Sequence, residues 1–148
     1  MDKINKESMK TVKWKIHLKS CHERVFQYLN SAIGREQFWA EKAPEKDGVI
    51  HFTFPNGECY KSRIVQIKPN VRFHVEYFNS DLKIELSTSK DGGTDLLLIN
   101  EGVIDSEFAD INAGWVSVLL NFKAVIDYEV DLRNHDMNRT WDQNYADN

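Results

Sequence analysis

The polar side chains best suited to acid–base chemistry lie between residues 51 and 101 of this 148-residue chain. They are His51, Tyr60, Arg63, His74, Glu76 and Glu101. A histidine and a glutamate that converge in one pocket can serve as general base and general acid. In the segment RFHVEY, however, His74 and Glu76 alternate with apolar and aromatic residues, so we expect both to face solvent. The same alternation places His51 on the solvent side of its strand, and no catalytic residue is assigned.

Metal and cofactor chemistry has no recognisable pattern in the sequence. His17, His22 and His135 are too scattered to suggest a metal site, and there is no glycine-rich phosphate loop. We therefore expect neither a metal nor a cofactor. Cys21 and Cys59 do not form a metal-type pair and fit a reducing compartment, although the sequence leaves a disulfide between them open.

Large aromatic side chains are the second group that could form a site. The residues of this group are Trp39, Phe52, Phe54, Tyr60, Phe73, Tyr77, Trp115 and Phe122. Aromatic residues at strand or helix spacing most often fill a core. The alternative is that they line a cavity of roughly a few hundred cubic ångströms, which would bind a small apolar or aromatic molecule. The residue types alone leave both interpretations open.

The charge balance limits the classes of partner. There are 19 basic and 23 acidic residues, which give a formal net charge of −4 and a pI of about 5.7. This acidity argues against non-specific binding to nucleic acid or to an anionic membrane. No apolar run approaches the roughly 18 residues of a membrane span, and residues 1–15 lack the apolar core of a signal peptide. We therefore expect a cytoplasmic protein that binds neither nucleic acid nor membrane.

The elements that must position these side chains follow from periodicity and turn signals. Alternation of apolar and polar residues predicts six strands, near residues 11–19, 49–55, 58–67, 71–78, 82–89 and 94–103. Ser20 and Glu23 have the spacing of a capping box, which predicts a helix that begins there. A second short helix is expected to end at Trp39. A broad apolar face with helical spacing predicts one long helix over residues 107–130.

The chain divides into one domain with two polar ends. We expect a flexible N-terminal segment over residues 1–9, a domain over residues 10–131, and a C-terminal tail over residues 132–148. In the tail, Met137, Trp141 and Tyr145 recur every four residues, which is the spacing of one helical stripe. Because a disordered tail would have little use for such a stripe, we expect this segment to dock on the domain.

Three blocks of the sequence resemble a known family. The blocks are QFWAEKAPEKDGVIHFTFPNGE, GGTDLLLINEGV and NAGWVSVLLNFKAVID. They are similar to segments of the domain related to the C-terminal domain of the Hsp90 ATPase activator, in the START-like or Bet v 1-like (SRPBCC) superfamily. The resemblance implies an α+β helix-grip fold. In that fold a curved six-stranded antiparallel sheet wraps around a long C-terminal helix, with two short helices between strands 1 and 2.

The resemblance also implies a cavity between the sheet and the last helix. Its expected lining is Trp115, Leu119, Phe122 and Ile126 from the helix, Trp39 near the mouth, and Phe52, Phe54, Tyr60, Phe73 and Tyr77 from the strands. The implied function is binding of a small apolar or aromatic molecule. Two alternatives are a chaperone-associated interaction module and a cyclase-like or hydrolase-like enzyme that uses the same cavity. A protein partner or a homodimer also stays open.

Overall fold

The computed structural model describes residues 8–148. Its elements in chain order are β1 (Met9–Leu18), α1 (His22–Leu29), α2 (Ala32–Phe38), β2 (Glu45–Lys46), β3 (Val49–Thr53), β4 (Cys59–Lys68), β5 (Arg72–Tyr77), β6 (Ser80–Thr88), β7 (Thr94–Ile104) and α3 (Phe108–Tyr128). Of the predicted flexible segment over residues 1–9, only Ser8 and Met9 lie within the described residues, and Met9 already belongs to β1.

The strands form one antiparallel sheet in the order β1-β7-β6-β5-β4-β3-β2. Helices α1 and α2 lie between β1 and the rest of the sheet in the sequence, and α3 follows β7. The predicted α+β helix-grip fold is therefore confirmed. The described sheet has seven strands rather than the predicted six, because Glu45 and Lys46 pair with β3. Two exposed charged residues give no alternation signal, which is why the sequence did not reveal β2.

Two bulges interrupt the sheet and bend it. Opposite Thr11 of β1, strand β7 inserts the two residues Glu101 and Gly102, and Gly102 has a φ of 80°. Glycine adopts this left-handed conformation without the Cβ clash that other residues suffer. On β4, Val65 is the extra residue between the pairs that Ile64 and Gln66 form with β5. Bulges increase local twist and bend the strand, so they allow the sheet to curve around α3.

The core lies between the concave face of the sheet and the three helices. The residues of α3 that are buried there are Trp115, Leu119, Asn121, Phe122, Val125 and Ile126. Phe122 is fully buried, and its ring stacks on that of Phe38 from α2 with a centroid distance of 4.0 Å. Although α3 is 21 residues long, no helix in the described part of the chain is long and apolar enough to cross a membrane.

The start of α1 differs from the sequence prediction. The N-cap is Cys21, which makes no side-chain capping hydrogen bond, so the predicted capping box of Ser20 and Glu23 is wrong. The Ser20 hydroxyl instead donates to Asp127 Oδ1 at 3.0 Å, and the Lys19 amide donates to Asp127 Oδ2 at 2.8 Å. Asp127, at the end of α3, therefore ties the junction of β1 and α1 to the long helix.

The end of α3 offers a stability prediction. Glu129 follows the helix with a φ of 58°, and its amide donates to Val125 O at 3.0 Å. A residue with a Cβ is strained in this conformation, and a carboxylate is unfavourable at a helix C-terminus. Glu129→Gly should therefore raise the free energy of unfolding by about 1 kcal/mol, as measured by urea denaturation. Glu129→Ala removes the charge but keeps the strain, so an equal gain with Ala would contradict the strain argument.

Candidate ligand-binding site

A cavity of about 390 Å³ opens at the end of the molecule where α3 begins. Helix α3 contributes one wall through Ile111, Gly114, Trp115 and Val118. The loop between β3 and β4, the turn between β5 and β6, and the C-terminal segment supply the other sides. The cavity therefore lies between the sheet and only the N-terminal half of the helix.

Three aromatic rings form the inner wall of the cavity. Trp39, Tyr77 and Trp115 are mutual neighbours, with centroid distances of 5.6 Å for Trp39–Tyr77, 5.8 Å for Trp39–Trp115 and 5.4 Å for Tyr77–Trp115. The rings are tilted or edge-on to one another, which is the arrangement that aromatic quadrupoles favour. Trp39 Nε1 donates to the Tyr77 hydroxyl at 3.2 Å. The inner wall is therefore rigid and apolar, and its polar atoms are already paired.

Asn100 holds Trp115 in place from the sheet. It is 1% exposed, and its Oδ1 accepts a hydrogen bond from Trp115 Nε1 at 3.0 Å. Its Nδ2 donates to Ser80 Oγ at 2.8 Å and to Asp81 O at 3.0 Å. A buried amide must find such partners. The sequence prediction did not include Asn100, although a signal existed: it continues the inward register of Leu96 and Leu98 on β7.

An aromatic turn forms the outer edge of the cavity. Phe78 lies between β5 and β6 with a φ of 48°, which is an unusual conformation for a bulky residue. Its ring stacks on Tyr60 with a centroid distance of 4.2 Å and lies 5.9 Å from that of Phe54. The Tyr60 hydroxyl donates to the Glu76 carboxylate. Tyr60 thus supports the turn from outside, and it is not among the residues that line the cavity.

The structure separates the ten residues predicted to line the cavity into a group of four, a group of five and a single residue. Trp39, Phe54, Tyr77 and Trp115 do line it. Five others lie within the hydrophobic core without reaching the cavity: Phe52, Phe73, Leu119, Phe122 and Ile126. Tyr60 is the tenth. The C-terminal half of α3 packs against α2, so no open space remains beside Phe122.

The candidate acid–base residues lie away from the cavity. His74 is on the outer face of β5, where its Nε2 contacts Asp81 Oδ1 at 2.5 Å. Within residues 8–148, no histidine lines the cavity, and no three or more His, Cys, Asp or Glu side chains are placed to hold a metal ion. Burial raises the pKa of Tyr77, so the hydroxyl in the inner wall stays neutral.

The C-terminal segment forms one side of the cavity. Trp141, Asp142 and Asn148 line it, and Ser117 Oγ of α3 donates to Ala146 O at 2.6 Å. The predicted helical stripe is wrong, because only Trp141–Gln143 is helical, as a single 3-10 turn, and Met137 is 74% exposed. Asn144, in the left-handed conformation, ends that turn.

Arg133 and His135 fasten this segment near its start. The Arg133 guanidinium donates to Glu36 O at 2.8 Å and to Ala40 O at 3.1 Å. His135 lies between Asp131 and Glu41, with ring nitrogens 2.7 Å and 2.8 Å from their carboxylate oxygens. The hydrogen bond to Asp131 raises the pKa of His135 above 6.5. Burial alone would raise the pKa of Asp131, but its hydrogen bonds with Arg133 and His135 outweigh burial and lower it to about 2.

These shifts predict how the attachment of the segment depends on pH. Protonated His135 stabilises the attachment fully at pH values below its unfolded pKa of 6.5. This stabilisation is lost as pH rises through the raised pKa of the folded state. The ionised Asp131 carboxylate stabilises the attachment above pH 3.8, its unfolded pKa, and this stabilisation is lost as pH falls towards 2. Amide protection factors of residues 131–148, measured by hydrogen exchange, should therefore be highest between these limits. His135→Gln cannot titrate, so an alkaline loss that persists in this variant would contradict the assignment.

Comparisons with known proteins identify the fold. No family model matches the sequence, and no curated protein sequence matches it. Solved structures do match. SSP2350 from Staphylococcus saprophyticus has a TM-score of 0.75 at 17% identity, over 84% of this chain and 96% of that one. The Aha1 dimer from Colwellia psychrerythraea has a TM-score of 0.72 at 17% identity, over 80% and 97%.

A third similar structure belongs to a longer chain. DynU16, a protein in the dynemicin biosynthetic locus, has a TM-score of 0.71 at 14% identity. The match covers 82% of this chain and 48% of DynU16. At these identities the likeness concerns the fold alone. The chain therefore has the helix-grip fold that small bacterial proteins such as SSP2350 and the Colwellia Aha1 also have.

Proposed function

We propose that this protein binds a small apolar or aromatic molecule in the cavity at the start of α3. The observation that carries the proposal is a 390 Å³ cavity whose inner wall consists of Trp39, Tyr77 and Trp115. Ligand pockets are typically concave and apolar, with a few polar groups that orient the ligand. Polar groups of this kind line the cavity as well, among them Ser80, Asn100 and Ser117.

The size of the cavity indicates weak, reversible binding. A ligand that buries about 200 Å² of apolar surface gains roughly 5 kcal/mol at 25 cal/mol per Å². Part of this gain is offset by the loss of translational and rotational freedom on binding. The expected dissociation constant is therefore on the order of 1 mM, which suits a reversible carrier or sensor rather than a tightly held cofactor.

Two of the proteins with a similar fold each support one version of this proposal. DynU16 comes from a biosynthetic locus, which favours a role with small molecules. The Colwellia protein is an Aha1 dimer, which favours membership of the Hsp90 activator family and a second candidate function as a cytoplasmic, chaperone-associated interaction module that could work as a dimer. The cavity favours ligand binding over that module, because a purely interacting protein has no need of an open aromatic wall.

Titration with small neutral aromatic alcohols tests the proposed function directly. A ligand in the cavity should quench or shift the tryptophan fluorescence, because Trp39, Trp115 and Trp141 line it. It should also raise the melting temperature by mass action. Saturable binding of such a compound is the expected result. A flat titration across the panel, with no thermal shift, would contradict ligand binding and favour the interaction module.

A matched pair of variants locates the ligand. Val118→Phe should fill the cavity from α3 and abolish binding, because Val118 lines it. Ala113→Phe places the same ring on the same helix at an exposed position that does not line the cavity, so binding should be unchanged. Equal binding by both variants would mean that the ligand binds elsewhere on the molecule.

A further inference from the structure

The mouth of the cavity is acidic. Four of its lining residues are exposed carboxylates: Glu58, Glu107, Asp110 and Asp142. They come from three separate parts of the chain, namely the loop between β3 and β4, the start of α3, and the C-terminal segment. No lysine, arginine or histidine of the described residues lines the cavity. The described part of the chain thus places only negatively charged side chains around an apolar interior.

No basic side chain of residues 8–148 neutralises these carboxylates. Within residues 8–148, none of the four forms an ion pair with a basic side chain. Asp142 only accepts a hydrogen bond from the neutral amide of Asn56, at 2.8 Å. The N-terminus of α3 adds about half a positive charge, which is too little to offset four negative ones. The described residues therefore give the mouth a negative potential, and a concave apolar wall strengthens it.

We propose that the ligand of this cavity is a cationic amphiphile: an aromatic or apolar body that carries a protonated amine. This inference rests on the proposed function and names its ligand class. The apolar body would lie against Trp39 and Trp115, and the ammonium group would remain at the mouth among the carboxylates. The faces of Phe54, Phe78 and Trp141 at the same end of the cavity also attract cations. A carboxylate ligand, such as a fatty acid, would be repelled.

Three probes of equal size and different charge test the inference: 3-phenylpropylamine, 3-phenylpropan-1-ol and 3-phenylpropionate at neutral pH. Calorimetric titration at low ionic strength should show the highest affinity for the amine, a lower one for the alcohol and the lowest for the acid. The dissociation constant of the amine should be at least about tenfold smaller than that of the acid. The difference should shrink in 1 M salt, where the Debye length is about 3 Å. Equal binding of all three would overturn the charge inference and leave the proposed function intact. Binding by none of them would overturn both.

Charge-neutralising variants separate recognition by the carboxylates from any other preference for the amine. The double variant Glu107→Gln, Asp110→Asn should bind the amine several-fold more weakly and the acid more tightly than the unmodified protein does. Its affinity for the alcohol should be unchanged. Asp105→Asn is the matched control. It removes a carboxylate beside the same helix start, but Asp105 pairs with Lys10 at 2.8 Å and does not line the cavity. An unchanged amine affinity in the double variant would overturn the inference.

Discussion

Replacement of Phe122 by alanine is expected to lower the free energy of unfolding by about 3–5 kcal/mol. Phe122 is 0% exposed, and its ring stacks on Phe38 at 4.0 Å and lies 6.1 Å from that of Tyr28. Truncation removes the transfer free energy of a whole aromatic ring and leaves a void where α1, α2 and α3 meet. Close packing leaves few ways for the surrounding side chains to fill such a void. Urea denaturation followed by fluorescence measures the loss.

The same helix supplies the control for this prediction. Leu120 is also on α3 but is 53% exposed, so Leu120→Ala should change stability by only about 0.5 kcal/mol. A loss below about 1 kcal/mol for Phe122→Ala would mean that the site can collapse or already contains space. In that case the cavity would extend along α3 towards Ile126, as the family resemblance implied.

Substitution of Gly34 by alanine should cost about 3 kcal/mol, although alanine is ordinarily the better helix former. Gly34 is in α2, where an added Cβ would lie 2.4 Å from both the Cα and the carbonyl oxygen of Tyr28. These are backbone atoms, so relief requires the separation of α1 from α2 rather than a rotamer change. The expected result is a fall in the urea midpoint with an unchanged slope.

Gly114 provides the opposite result from the same substitution. It is in α3, and an added Cβ would meet only the Trp141 ring at 3.9 Å, an ordinary contact. Gly114→Ala should therefore stabilise the protein by about 0.5–1 kcal/mol through helix propensity. If both variants changed stability in the same direction, the change in Gly34→Ala could not be attributed to backbone crowding at Gly34. If Gly34→Ala stabilised the protein, α1 and α2 would have to be farther apart than the 2.4 Å approach to the Tyr28 backbone implies.

The sequence by itself determined which long elements form and in what order, and its resemblance to a known family implied their helix-grip arrangement. Alternation with a period of two located the long strands, and the three-to-four residue spacing in α3 located the helix, with each element at most two residues from its expected bounds. These signals are strong because each long element buries one face, and burial enforces a period that can be read along the chain. The two-residue strand β2 buries neither of its side chains, so no period marked it.

The position of the cavity was decided only by the tertiary structure. Phe122 and Trp115 share the inward face of α3, yet Phe122 packs against Phe38 while Trp115 borders open space. Nothing in the sequence distinguishes these two aromatic residues, because the difference depends on what the sheet and α2 place opposite them. Likewise, the carboxylates at the mouth come from distant parts of the chain, such as Glu58 and Asp142. Their charges act together only because the folded sheet, helix and C-terminal segment bring them to one opening, and this is a property of three-dimensional distance rather than of sequence spacing.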